Sequence, residues 1–215
     1  MIDTIIFDYD GTLHDSSKIY IPAIKKAYQY LVENRLAEQT HWKDEEITQW
    51  LGYDKKQMWS TFMPDLDENE QKKASDIIGR EMLKSILKGK AELYEHSIEI
   101  LDYLKSKDYQ LIFLSNCSIN YMELHKKTFK LNQYFSKMIC SEQYDYKKSK
   151  KEIVEHYLAE NPARYAIVGD RFQDIEAGQL ESVYTVGCNY GYGKANELDT
   201  ADIKIEDIRD LFQYF

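Results

Sequence analysis

The chain is poor in the residues that punctuate or cross-link a fold. Its 215 residues include 3 prolines, 9 glycines and 3 cysteines. So little proline and glycine argues against collagen-like repetition and proline-rich disorder. Cys117, Cys140 and Cys188 are odd in number and form no Cys-x-x-Cys pair, which argues against a disulfide framework or a zinc site. A reducing, cytoplasmic compartment is the expectation. No apolar run approaches the ~18–20 residues that a membrane helix needs. Met1-Ile2-Asp3-Thr4 has neither a basic stretch nor an apolar core, so no signal peptide is read. Positive charge is short as well: 28 Lys and Arg face 37 Asp and Glu, a formal charge of −9. That balance disfavours nucleic acid and anionic membranes as partners. Oligomeric state is left open by composition.

What is present suits a folded α/β chain. Hydrophobic residues make up 43% and aromatics 13%, and the length fits one domain of ordinary size or one core domain carrying an insertion. Thr4–Phe7 reads as a short buried strand. From Ser17 to Lys90 the pattern turns helical. Ile21, Ile24, Tyr28 and Leu31 recur at helical spacing, with Pro22 expected in a first turn. Asp44 is expected to cap a helix carrying Ile47, Trp50 and Leu51, and Ile77, Ile78, Met82 and Ile86 mark a longer one. Beyond Glu92, helices alternate with apolar runs at Gln110–Leu114, Lys137–Cys140, Tyr165–Val168 and Val183–Val186. Asp202–Ile205 closes the series before a C-terminal helix. Alternation of this kind predicts a Rossmann-like parallel sheet covered on both faces. The expected organisation is an α/β core of 1–16 plus 91–215 with an inserted all-helical cap of 17–90.

In an open parallel sheet, ligands bind beyond the carboxyl ends of the strands. Asp8 and Asp10 follow the first run, and their spacing of two turns both carboxylates to one side of an extended backbone. Gly11 and Thr12 come next. Ser115-Asn116 follow the second core run, and Gly169-Asp170-Arg171-Phe172-Gln173-Asp174 follow the fourth. Lys147, Lys148, Lys150 and Lys151 crowd the start of the preceding helix. Each element alone has an ordinary reading, as a solvated turn, a helix cap or a charged face. Together, in this order relative to the strands, they describe one site. Carboxylates gathered there repel one another, and a hard divalent cation resolves the conflict. An oxygen-only donor set suits Mg²⁺. The histidines, His14, His41, His96, His125 and His156, fit no metal spacing and are expected at surface or hinge positions.

Asp8-Tyr9-Asp10-Gly11-Thr12-Leu13, Ser115-Asn116, a downstream lysine and Gly169-Asp170-x-x-x-Asp174 resemble the four motifs of the haloacid dehalogenase-like hydrolase superfamily. The helical insertion resembles the small cap of its phosphoglycolate phosphatase-like branch. The resemblance implies an Mg²⁺-dependent phosphatase acting on a small phosphorylated metabolite. It implies Asp8 as the nucleophile that forms an aspartyl-phosphate and Asp10 as the acid/base. The Asp8 and Asp170 carboxylates, with the Asp10 carbonyl, would hold the metal. Thr12, Ser115, Asn116 and a lysine are grouped with phosphate binding, and Asp174 with orientation of the lysine or a metal water. Lys150-Lys151-Glu152-Ile153-Val154 matches the family's proline-free lysine pattern, which favours Lys150 over Lys148. Relatives usually read Tyr-Pro-Gly where this chain has Tyr94-Glu95-His96, which leaves the local geometry at the cap hinge open. A second acid at Asp10 favours phosphatase over dehalogenase; phosphohexomutase is the alternative enzyme, and a non-catalytic phosphate-binding protein the alternative outside enzymes. Lys55, a few positions beyond the helix-breaking Gly52, is the candidate reader of the substrate's remote end.

Overall fold

The computed structural model describes residues 2–180, 183–194 and 196–215. In chain order come β1 (Thr4–Phe7), α1 (Ser17–Glu33), α2 (Asp44–Thr48), α3 (Lys55–Phe62), α4 (Glu68–Leu87), α5 (Ser97–Ser106) and β2 (Gln110–Ser115). They are followed by α6 (Ile119–Phe129), β3 (Lys137–Cys140), α7 (Lys150–Glu160), β4 (Tyr165–Gly169), α8 (Phe172–Gly178), β5 (Val183–Cys188) and β6 (Ile203–Ile205). The chain divides into two compact units, Met1–Asp15 with Leu93–Phe215, and Ser16–Glu92.

The first unit is built on a six-stranded sheet in the order β3-β2-β1-β4-β5-β6. Every pairing in it is parallel. Parallel sheets bury both faces, so their strands read as continuous apolar runs. Leu111, Ile112, Phe113 and Leu114 of β2 are all buried, as are Ile5, Ile6 and Phe7 of β1. On one face Ile6, Ile112, Leu114, Ile139 and Ile167 pack with Ile153, Val154 and Tyr157 of α7. The register aligns the chemistry. Phe7 stands opposite both Phe113 and Val168, so Asp8, Ser115 and Asp170, one or two residues further on, reach the same end of the sheet.

The second unit, α1 to α4, contains no strand among the described residues. Its most extensive helix–helix packing joins α1 to α4. Ile19, Ala23, Ala27 and Leu31, with Tyr20, Ile24 and Tyr28, form the buried stripe of α1. Burial of that stripe offsets the cost of Pro22, which lies in the second turn of the helix rather than the first. Two further local expectations are corrected. Asp44 begins α2 instead of capping it, and the helix ends at Thr48, leaving Trp50 and Leu51 in the following turn. The C-terminal helix expected after Asp202–Ile205 is present as the 3₁₀ helix Ile208–Gln213.

Candidate active site

The β1 strand runs one hydrogen bond beyond its last residue, from Asp8 N–H to the Val168 carbonyl at 2.9 Å. The backbone then folds back: Leu13 and His14 N–H groups both donate to the Tyr9 carbonyl, and Gly11 N–H donates to the His14 carbonyl. Gly11 adopts φ +91°, a conformation that costs glycine little. This turn, together with the pleat of the strand, buries Asp8 and leaves Asp10 part-exposed.

Lys150 reaches the site because of where α7 begins. Ser149 caps the helix by accepting from Glu152 N–H, and the Glu152 carboxylate accepts from Ser149 N–H in return. Lys150, the first helical residue, is buried, with Nζ 2.7 Å from Asp8 Oδ1 and 2.6 Å from Asp174 Oδ1. Lys148 points elsewhere, with Nζ over the Tyr144 ring at 5.0 Å. Asp174 also accepts from the Arg171 N–H at 3.0 Å, which fixes it at the start of α8. Asp170 is buried and accepts from the Tyr192 N–H at 2.6 Å.

Oxygens of Asp8, Asp170 and Asp174 lie within 4.8 Å of one another. The electrostatics are those of crowded, dry carboxylates with one cation. Burial, with Asp174 beside it, pushes Asp8 up to about 7 despite the opposing charge of Lys150. Burial and the charges of Asp8 and Asp174 push Asp170 well above the usual carboxylate range. Burial alone would lower Lys150, but Asp174 and Asp8 outweigh it and hold the ammonium above its ordinary value. Three carboxylates against one lysine leave an uncompensated negative charge surrounded by hard oxygen donors. That donor set fits a divalent cation such as Mg²⁺.

Ser115 is buried at the end of β2, and Asn116 Oδ1 accepts from Ser141 Oγ at 2.7 Å. Thr12, grouped above with phosphate binding, is fully buried with its hydroxyl 3.5 Å from Asp170 Oδ1, because the turn directs it at that carboxylate. Lys55 is exposed at the start of α3, in the helical unit, behind the Asp54 cap.

Three features were not read from the sequence. The loop after β5 wraps Asp170 closely enough that a Cβ on Gly191 would stand 2.2 Å from the Asp170 Cβ. Arg171 and Glu197 close the same loop with paired contacts of 2.9 and 3.2 Å. Most consequentially, His14 and His125 are fully buried, against the expectation of surface or hinge positions. His14 Nδ1 lies 2.9 Å from Asp10 Oδ1, and Tyr121 OH donates to the same oxygen at 2.7 Å. Burial would raise Asp10, but these hydrogen bonds and the His14 charge hold its carboxyl below the ordinary value. His96 takes the left-handed conformation, φ 68°, just ahead of α5.

A family model for haloacid dehalogenase-like hydrolases matches residues 5–188, and the chain belongs to that family. It is a hydrolase of the family's phosphatase branch. It is 28% identical over 198 residues to the phosphoglycolate phosphatase of Aquifex aeolicus, covering 89% of this chain and 87% of that one. It is 23% identical to the pyrophosphatase PpaX of Bacillus mycoides, covering 88% and 84%. CbbY from Rhodobacter sphaeroides, solved in complex with phosphate, shares the fold with a TM-score of 0.79 at 17% identity, covering 98% and 96%. No helix among the described residues is long and apolar enough to cross a membrane.

Proposed function

We propose that this chain is an Mg²⁺-dependent phosphatase that hydrolyses a small phosphate monoester through a phosphorylated Asp8. The observation that carries the reading is the bridge of Lys150 between Asp8 and Asp174, inside a carboxylate cluster completed by Asp170. Asp8, Asp170 and the Asp10 carbonyl would hold the cation, with Asp174 beside them. Bound there, the cation would offset the negative charge that Asp8 and the substrate phosphate bring together.

The chain's own residues supply the rest. Lys150 orients Asp8 through Oδ1 and offers positive charge to the incoming phosphoryl group. An Asp8 oxygen attacks phosphorus, the bond to the ester oxygen breaks, and Asp10 gives that oxygen a proton. Water then attacks phosphorus, Asp10 takes its proton, and the bond to Asp8 breaks to release inorganic phosphate. Ser115 and the Asn116 amide, its oxygen engaged by Ser141, would donate to phosphate oxygens. Lys55 is proposed to touch an anionic or hydroxyl-rich part of the substrate remote from phosphorus. Three free cysteines and the acidic charge favour a cytoplasmic enzyme acting on a metabolite rather than on nucleic acid.

The test is turnover of p-nitrophenyl phosphate with Mg²⁺, with EDTA, and in Asp8→Asn. The wild type should be active with Mg²⁺ and silent with EDTA. Asp8→Asn should be inactive and folded, since an amide is no nucleophile. Full Mg²⁺-dependent turnover by Asp8→Asn would remove the covalent mechanism.

A further inference from the structure

The Asp10 carboxyl is held by side chains from outside its own turn. Its Oδ1 faces two donors, Tyr121 OH at 2.7 Å and His14 Nδ1 at 2.9 Å, which are themselves 3.3 Å apart. Against a carboxylate oxygen, His14 Nδ1 must carry the hydrogen, because two acceptors there would repel. Neither donor reaches Oδ2.

The two donors are themselves braced. The His14 ring is stacked on Tyr9, with centroids 5.1 Å apart and planes 6° apart. It meets His125 edge-on at 4.5 Å. His125 Nδ1 is 2.7 Å from Tyr9 OH, and its ring packs against Tyr121 at 4.2 Å. Tyr121 and His125 lie four residues apart on α6, so they share a face. Tyr9 is the residue between Asp8 and Asp10. A helix remote in sequence thus grips the turn of the first motif through four rings. His14 and His125 lie outside the lysine–carboxylate cluster, and bulk packing alone would not require polar rings there. Apolar side chains would fill the space without leaving both Nε2 atoms unpartnered.

We propose that His14 and Tyr121 are positioning residues for Asp10, fixing its carboxyl rotation and confining the exchangeable proton to Oδ2. With two donors on Oδ1, that oxygen stays an acceptor in both protonation states of the acid. Oδ2 alone then gives the proton to the ester oxygen and later takes one from water. The inference rests on the reading of Asp10 as the acid/base. It adds which of its oxygens reacts and which residues decide that. Loss of a donor leaves Asp10 present but free to rotate, so fewer bound molecules hold the acid at the leaving oxygen.

The readout is leaving-group dependence. An alkyl phosphate releases a basic alkoxide that needs the proton, whereas p-nitrophenolate is a stable anion that departs with little help. We would measure kcat/KM for phenyl, p-nitrophenyl and glycerol phosphates in wild type, Tyr121→Phe, His14→Leu, His14→Asn and Asp10→Asn. Tyr121→Phe keeps the ring and removes only the donor. In Tyr121→Phe and His14→Leu the ratio of glycerol to p-nitrophenyl turnover should fall by ~10-fold or more. His14→Asn, which returns an N–H near the Nδ1 position, should recover much of the ratio. Adding Tyr121→Phe to Asp10→Asn should change nothing further, as expected for residues acting through one another. Should Tyr121→Phe and His14→Leu lower all three esters equally, or none, the positioning role is wrong while the phosphatase reading stands. An Asp10→Asn variant that loses all esters alike, or a wild type without Mg²⁺-dependent turnover, would instead remove the parent reading and this inference with it.

Discussion

A Cβ placed on Gly11 would lie 2.3 Å from Oδ2 of Asp170. The tight turn after β1 and the acid after β4 therefore share space that only a glycine leaves open. Gly11 sits at φ +91°, so alanine there is strained by its backbone as well as by the contact. The expected result of Gly11→Ala is displacement of Asp170 rather than loss of the whole fold. In that variant the Mg²⁺ concentration giving half-maximal activity should rise by ~10–100-fold, the scale seen when groups supporting a ligand are disturbed. A Mg²⁺ titration of activity, read beside the circular dichroism of both proteins, checks it. An unchanged midpoint in a folded variant would mean that Asp170 does not hold the cation.

Lys150 and Lys148 lie on opposite sides of the Ser149 cap. Ser149 starts α7 and puts Lys150 between Asp8 and Asp174, while Lys148 lies against Tyr144. Lys150→Ala should lower kcat by ~100–1,000-fold, the usual cost of one preorganised charge at a transition state. Lys148→Ala should stay within ~2-fold of wild type, as a surface change does. Steady-state kinetics on one ester ranks them, and the reverse order would mean that the register at the start of α7 is different in the working enzyme.

The sheet was legible because the central strands of a parallel sheet are buried on both faces; the apolar runs Leu111–Leu114 and Tyr165–Val168 announce themselves. The acids were legible because they lie in the turns that follow such runs. The rest has other causes. His14, Tyr121 and His125 meet only through tertiary packing, and a lone histidine carries no signal of its partner. The i, i+4 spacing of Tyr121 and His125 was visible, but not what their face meets. Asp170 is held by the Tyr192 backbone N–H, a donor that nearly every residue type supplies, so no side chain could betray it. The Ser149-x-x-Glu152 capping box was present to be read, and it decides between the two lysines.

Lys55 offers a test of specificity. It is exposed at the first turn of α3, and it carries a proposed contact with the substrate far from phosphorus. Such a contact positions a large substrate and does nothing for a small one. Lys55→Ala should reduce kcat/KM for the best ester of a metabolite screen by ~5–50-fold, consistent with one charged hydrogen bond. Turnover of p-nitrophenyl phosphate should change far less. Equal effects on the two substrates, or none, would return Lys55 to the role of a solvated lysine.

Glu197 gives a prediction on stability whose sign follows from its partner. Arg171 is almost wholly buried, and Glu197 receives its Nε at 2.9 Å together with the Phe172 and Lys194 N–H groups. Burial would raise Glu197, but the hydrogen bond and charge of Arg171 prevail and hold it below its ordinary value. A carboxyl lowered in the folded state adds stability above its unfolded pKa, ~4.3, and that stability is lost as pH falls through the lower folded value. Glu197→Gln should therefore cost about 1–3 kcal/mol at pH 7, where it removes the Glu197 charge from the buried guanidinium. Urea unfolding of both proteins should give the same gap at pH 7 and pH 6, narrowing only as the medium approaches and passes below pH ~4. Because Glu197 also anchors the loop that brings Tyr192 N–H to Asp170, the variant should need more Mg²⁺ for activity at pH 7. A gap already closed at pH 6 would contradict the lowered carboxyl, and an unchanged Mg²⁺ requirement would separate the Arg171 pair from the site it encloses.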